Sequence, residues 1–429
     1  MFLKEIYLKN FKCHERLFLD FSNPPELKQR IRKTTFLLGE NGTGKSALLK
    51  AIALVTGGSN ALSDIFGDIE EWIQNGKDYC EIAAVLTTAE GELRNISLRL
   101  ERGSHLTDVV NKNRSTLELI DNAIKNADRN YFVIAYGASR RLNKSGDNYF
   151  PNHSQRSNSF RSTNIRSLFN PDALLVSLSN WAMELDYSQG TVGLQLIKDA
   201  LDNFLLENVK FKAIDKEKGK IIFSTPDGDV PLEQLSDGYQ NVAAWIGDLM
   251  YNLTRTFKDY KEPLKARGLL LIDEIDLHLH PKWQRQLHAF LKDKLPNFQI
   301  IATTHSPLTA QQAEENELYA LKREDGKVDL IAFKGNPSKM LIHQLLMSPV
   351  FGLQTDESLI IQEAKAGVRE YRAKGLKSQK DKNELAKYEE LLDNTPFNVR
   401  ENSLLSGKDI SLLQEINSHL KPKDTSTDL

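Results

Sequence analysis

The stretch that most constrains this chain is Gly39-Glu40-Asn41-Gly42-Thr43-Gly44-Lys45-Ser46, a full match to the pattern G-x-x-x-x-G-K-[ST]. The short apolar run Thr35–Leu38 enters it, and Ser46–Val55 (SALLKAIALV) leaves it with helical character and few breakers. Strand, glycine loop and helix together form the context that a phosphate-binding loop requires. The glycines let the backbone curl so that successive amide N–H groups face an anion, and the following helix adds the positive end of its dipole. Gly39, Asn41, Gly42, Thr43, Gly44, Lys45 and Ser46 are therefore the candidate nucleotide-binding residues. Lys45 would reach the β and γ phosphates, and the Ser46 hydroxyl would be a ligand of Mg²⁺.

Three further motifs follow in order. Leu269–Ile272 is a hydrophobic strand that ends in two adjacent carboxylates, Asp273 and Glu274. A buried strand fixes the position of the acids at its end, which suits Asp273 to a magnesium shell and Glu274 to accepting a proton from an attacking water. Leu235-Ser236-Asp237-Gly238-Tyr239-Gln240 places a serine and a glycine at the start of a helix, a second anion-facing helix terminus without a lysine. Ile300–Pro307 (IIATTHSP) is a strand ending in small polar residues and His305, 31 positions after Glu274. Neighbouring strands of one sheet would bring that imidazole beside a γ-phosphate.

The 429 residues are 40% hydrophobic and 27% charged with a net charge of −2, which excludes a disordered chain and a histone-like electrostatic binder of nucleic acid. No run approaches the roughly 20 apolar residues of a membrane helix, and the first residues lack a signal-peptide pattern, so a cytoplasmic location is expected. Cys13 and Cys80 are too few for a disulfide framework or a thiolate metal cage. Alternation predicts two short strands either side of Lys9–Glu15, a hairpin over 79–101 about Glu90-Gly91, a buried strand at Tyr131–Tyr136 and a hairpin pairing Val209–Ala213 with Lys220–Ser224. Helices are expected within 170–206, at Tyr239–Phe257 and at Pro281–Leu291, with Trp245 and Trp283 in the core. Arg140–Arg166 carries six basic residues against Asp147 and reads either as a solvated loop or as a contact for phosphates. Ala364–Leu392 reads as an exposed helix, with eight basic and six acidic residues over Glu363–Glu390.

Taken together, GENGTGKS, LSDGYQ, LLLIDE and the TTHSP histidine resemble the ABC-type ATPase head shared by SMC, RecF and OLD-family proteins. The resemblance implies an α/β fold over residues 1–335, an ABC-type P-loop ATPase head with a mixed sheet flanked by helices, an antiparallel β subdomain and a helical insertion. Its lobes would be 1–56 (Walker A), 57–230 (insertions) and 231–335 (signature, Walker B and switch histidine). A helical region, 336–429, would serve partner binding or oligomerisation. In that family Lys45, Ser46, Asp273, catalytic Glu274 and switch His305 would form one half-site, with ATP and Mg²⁺ bound, and Ser236 and Gly238 of a second copy would complete it. Homodimers or higher homo-oligomers would then form through heads that sandwich ATP. The Asp273–Pro281 stretch (DEIDLHLHP) and Tyr136-Gly137-Ala138-Ser139-Arg140 look like prokaryotic defence ATPases. The loop after Tyr136 departs from the family in having no glutamine before Gln155, which leaves its magnesium or water contact unassigned. Ser46 and Leu235 are only 189 positions apart, too close for an SMC rod, and 340–429 shows no strand ending in D-x-D as a TOPRIM nuclease would. The chain is most similar to the ATPase subunits of two-gene antiphage systems of the Septu type, which implies a separate nuclease partner of HNH or TOPRIM type. A RecF-like DNA-repair ATPase that binds nucleic acid directly is the alternative.

Overall fold

Alternating burial sets the first elements. β1 (Phe2–Phe11) and β2 (His14–Asp20) pair antiparallel with Leu3, Ile6, Leu8, Leu17 and Leu19 inside. After β3 (Thr34–Gly39), the strands β4 (Tyr79–Thr87) and β5 (Leu93–Glu101) return to complete a four-stranded antiparallel sheet of order β2-β1-β4-β5. The 79–101 hairpin thus forms as expected, although residue 90 of its turn lies outside the described residues. The computed structural model describes residues 1–27, 29–88, 91–142, 159–204, 209–257, 262–374 and 378–393. The chain divides into two compact units, Met1–Leu353 and Gln354–Leu429.

Strands buried on both faces build the centre, and such strands read as unbroken apolar runs. β3 joins β6 (Val133–Tyr136), β12 (Gly268–Ile272), β13 (Phe298–Thr303), β14 (Leu318–Glu324) and β15 (Lys327–Ala332) in the order β15-β14-β3-β13-β12-β6. Every pair is parallel except β14 with β15. Side chains alternate between two cores. Leu37, Leu269, Leu271 and Ile301 face the antiparallel sheet, with helix α1 (Lys45–Gly57), whereas Phe36, Leu270, Ile272 and Ile300 face the opposite layer. β14 and β15 were not anticipated, although the Glu324-Asp325-Gly326 corner between two alternating runs is a hairpin signal.

Smaller helices α2 (Ser59–Ile65), α3 (Leu106–Lys112) and α4 (Arg114–Ala127) lie on the antiparallel side. α5 (Ser159–Phe169) packs on β6 with Ile165 and Leu168 buried. A short parallel pair, β7 (Arg141–Leu142) with β8 (Leu174–Leu175), precedes the helical insertion α6 (Leu178–Gln189) and α7 (Thr191–Phe204). The second expected hairpin is present as β9 (Lys210–Asp215) and β10 (Lys220–Thr225), and the Asp227-Gly228 turn adds a third strand, β11 (Gly228–Pro231). α8 (Asp237–Thr256), α9 (Pro281–Lys294) and the short α10 (Pro307–Ala310) and α11 (Ile342–Leu346) complete the larger unit. Trp245 and Trp283 are buried in its core.

The second unit is helical, as expected, and holds α12 (Leu359–Lys374) and α13 (Gln379–Asp393). They pack side by side around Ala364, Val368 and Leu385, and Gly367 lets the Tyr388 ring approach α12. Residues 394–429, including the polar tail, lie outside the described residues.

Candidate functional site

The candidate residues gather at the carboxyl ends of the central strands, where open parallel sheets bind their ligands. β3 runs into the glycine loop, β12 into Asp273 and Glu274, β13 into Thr303, Thr304 and His305, and β6 into the 137–140 turn. Because β12 lies between β6 and β13, and β13 lies beside β3, four loops converge from adjacent strands. Backbone bonds lock their ends together. Asp273 N donates to Tyr136 O (2.8 Å), Ile275 N to Thr303 O (3.0 Å) and Thr304 N to Leu37 O (3.1 Å).

Within the glycine loop, Gly44 takes the left-handed conformation (φ 87°) as the residue before α1, and no side chain caps that helix start. The β1–β2 turn presses on it. A Cβ built on Gly44 would stand 2.4 Å from both Cys13 Sγ and His14 Nε2. His14 is fully buried, its ring nitrogen Nε2 lies 3.1 Å from Gly44 O, and burial lowers its pKa, so the neutral ring donates to that carbonyl. Lys45 is itself buried and donates to Gly39 O (2.8 Å) and Glu40 O (2.9 Å). Burial pushes its pKa down, while Asp273 and Glu274 pull it back up. From β14, Arg323 donates to Gly42 O at 2.7 Å.

At the acidic turn, Thr303 Oγ1 donates to Asp273 Oδ1 (2.6 Å) and accepts from Glu274 N (2.7 Å). Thr304 Oγ1 donates to Asp276 Oδ2, which ties the residue before His305 to the same turn. Glu274 and His278 both sit at positive φ, 49° and 63°. His305 keeps much of its surface in solvent, and desolvation of its ring among the site residues, followed by the charge of Lys45, lowers its pKa. Ser236 precedes α8 without making a capping bond, and Gly238 abuts the acidic turn: a Cβ there would stand 2.8 Å from His278 O. Gly39, Asn41, Gly42, Thr43, Gly44, Lys45 and Ser46 thus form one loop. Asp273, Glu274 and His305 are linked through Thr303 and Thr304, and Gly238 meets the same turn at His278 O.

The donors suit Mg²⁺. Ser46 and Asp273 offer hard oxygens, and among the described residues no cluster of three His, Cys, Asp or Glu side chains would form a separate all-protein metal cage. Magnesium binds in this way, through one or two protein oxygens with phosphates and waters completing the octahedron.

Arg140, which ends the Tyr136–Arg140 stretch singled out in the sequence, takes a place in the site that the sequence does not show. It was grouped with a basic tract, yet it is 8% exposed and donates Nη2 to Asp273 O (2.5 Å) and Glu274 O (2.7 Å). Arg161, from the same tract, is equally committed, to Thr56 O, Gly57 O and Tyr131 O. The solvated-loop reading of the tract is therefore corrected at these two residues. Residues 143–158, with Lys144, Asp147, Gln155 and Arg156, lie outside the described residues.

A glycine loop, an acidic strand end and a switch strand on three neighbouring strands define an ABC-type P-loop head. The chain belongs to the family described as "AAA domain, putative AbiEii toxin, Type IV TA system", whose model matches residues 34–310. Septu protein PtuA of Bacillus mycoides is 30% identical over 363 residues, covering 82% of this chain and 45% of that protein. Retron Ec83 probable ATPase of Escherichia coli is 33% identical over 138 residues, covering 32% of this chain and 25% of that protein. The chain therefore spans less than half the length of these curated relatives. Among solved structures, an Smc head bound to the C-winged helix domain of ScpA aligns with a TM-score of 0.48 and 14% identity, over 78% of this chain and 98% of that one. No helix among the described residues is long and apolar enough to cross a membrane.

Proposed function

We propose that this chain is an ATP-hydrolysing switch of antiphage defence, whose heads engage through ATP and thereby control a separate nuclease. The observation that carries the reading is the convergence of Lys45, Asp273–Glu274 and His305 at the ends of β3, β12 and β13. In this reading the amides of residues 42–46 take the β and γ phosphates, and Lys45 exchanges its carbonyl partners for phosphate oxygens. Ser46 and Asp273 hold Mg²⁺, which neutralises developing phosphate charge when bound. Thr303 fixes both the Asp273 carboxylate and the Glu274 amide, so that the Glu274 side chain is positioned to accept a proton from water attacking the γ-phosphate. His305 contacts that phosphate, and Ser236 and Gly238 of a second copy close the site. Likeness to Septu protein PtuA and to the retron ATPase supports the defence role.

The test separates binding from chemistry. Lys45→Ala should abolish ATP binding, whereas Glu274→Gln should retain ATP, slow turnover by about 100-fold or more and accumulate ATP-dependent dimers in light scattering. Wild-type turnover in Glu274→Gln would remove the assigned base. Co-purification with the neighbouring gene's product tests the partner: no complex, and no ATP effect on its nuclease activity, would refute the switch. Salt-sensitive, ATP-dependent DNA binding by this chain alone would favour the RecF-like alternative.

A further inference from the structure

The loop after β6 places a guanidinium beneath the catalytic turn. Arg140 uses one nitrogen, Nη2, for two successive carbonyls, those of Asp273 and Glu274. Two consecutive carbonyls can meet one donor only where the backbone turns sharply between them. Glu274 does turn there, at φ 49°, a left-handed conformation that a side-chain-bearing residue adopts only when its surroundings hold it. The other nitrogens reach elsewhere: Nε donates to Gly137 O (3.2 Å), and Nη1 to Asn241 Oδ1 (3.3 Å). Asn241 lies in the first turns of α8, the helix that Ser236 and Gly238 open. One planar fork therefore spans the β6 loop, the acidic turn and the signature helix.

Enclosing a charge so fully has a cost, and the group accepts it: burial brings the pKa of Arg140 down to about 10, with Asp273, Asp276 and Glu274 opposing the shift. The guanidinium remains charged at neutral pH. A lysine at this position could not reproduce the fork, because its point charge lacks several donors fixed in one plane.

We infer that Arg140 is a positioning residue for hydrolysis: it holds Glu274 in its left-handed turn and makes that turn depend on the seating of α8 through Asn241. The inference rests on the ATPase reading above and deepens it, since it gives the glutamine-free loop a task. Seating of α8 against a second copy would then be felt at Glu274 through one side chain.

The experiment uses the full chain with Arg140→Ala, Arg140→Lys and Asn241→Ala beside wild type and Glu274→Gln. Steady-state ATP turnover gives kcat and KM, a fluorescent ATP analogue with Mg²⁺ gives Kd, and turnover is repeated with tens of millimolar guanidinium. Arg140→Ala should lose about 100-fold in kcat, the loss that misplacing a catalytic group by about 1 Å produces, with Kd within about threefold of wild type. Guanidinium should restore at least about a tenth of that loss in Arg140→Ala and none in Glu274→Gln, a response that a merely structural role would not give. Arg140→Lys should be slow with unchanged Kd, which keeps the test sound if the alanine variant misfolds. Asn241→Ala should lose kcat by a few fold without rescue. A kcat for Arg140→Ala within threefold of wild type overturns the inference, as does a Kd weakened in proportion to kcat. A wild-type chain that hydrolyses no ATP overturns the ATPase reading instead.

Discussion

Raising the pH from about 5 to about 7.5 should destabilise the larger unit through one carboxylate. Asp248 lies on α8, almost fully buried, where its oxygens accept from Tyr136 Oη (2.8 Å), Val176 N (2.9 Å) and Asn252 Nδ2 (3.0 Å). Those donors favour the charged form, yet burial outweighs them and raises its pKa to about 6. The folded value thus lies above the unfolded one of about 3.9, so between these values the native state binds more protons than the unfolded state. Stability is lost as pH rises through that window. A shift of about 2 units corresponds to about 3 kcal/mol in all, of which about 1.4 kcal/mol falls between pH 5 and 7.5. Asp248→Asn removes the titration while keeping an acceptor for Val176 N, so the stability of wild type minus that of Asp248→Asn should drop by about 1.4 kcal/mol across that range. Urea unfolding followed by tryptophan fluorescence measures it, because all four tryptophans lie within Met1–Leu353. A difference that stays level with pH would refute the account of a carboxylate whose burial outweighs its three hydrogen-bond donors.

Other substitutions follow from close contacts. Gly44→Ala should abolish binding of an ATP analogue, since it combines a left-handed backbone with a Cβ at 2.4 Å from Cys13 and His14; titration of the analogue checks it. Gly238→Ala would drive a Cβ against His278 O, and steady-state turnover should fall by about tenfold. Gln299 is fully buried, accepts from Leu3 N (2.7 Å) and donates to Leu3 O (2.8 Å). Gln299→Leu would strand both backbone groups, at a cost of about 3 kcal/mol read from the urea midpoint.

The legible parts of the fold were those where one force acts alone. β12 is buried on both faces, so Leu269–Ile272 announces itself as an apolar run, and its carboxylates follow directly. The glycine loop was equally plain, because its turn admits few alternatives to glycine. β14 and β15 were hidden because β15 is an edge strand in which only Val328 is buried, so its apolar signal is weak. Arg140 was misread for a different reason: sequence shows its charge but not the carbonyls it meets, two of them 133 and 134 residues away. His14 likewise belongs to the glycine loop only through tertiary contact, 30 residues from Gly44.

The placement of β3 between β13 and β14 has a consequence for biosynthesis. The antiparallel sheet is complete in sequence by Glu101, but both edges of β3 find their partners only in strands beginning at Phe298 and Leu318. At about 5–20 residues per second, roughly 15–60 s separate synthesis of the glycine loop from that of its last neighbouring strand. During that interval Thr34–Gly39 is an apolar strand with two open edges. A nascent chain arrested before β14 therefore carries the nucleotide motif without the sheet that shapes it.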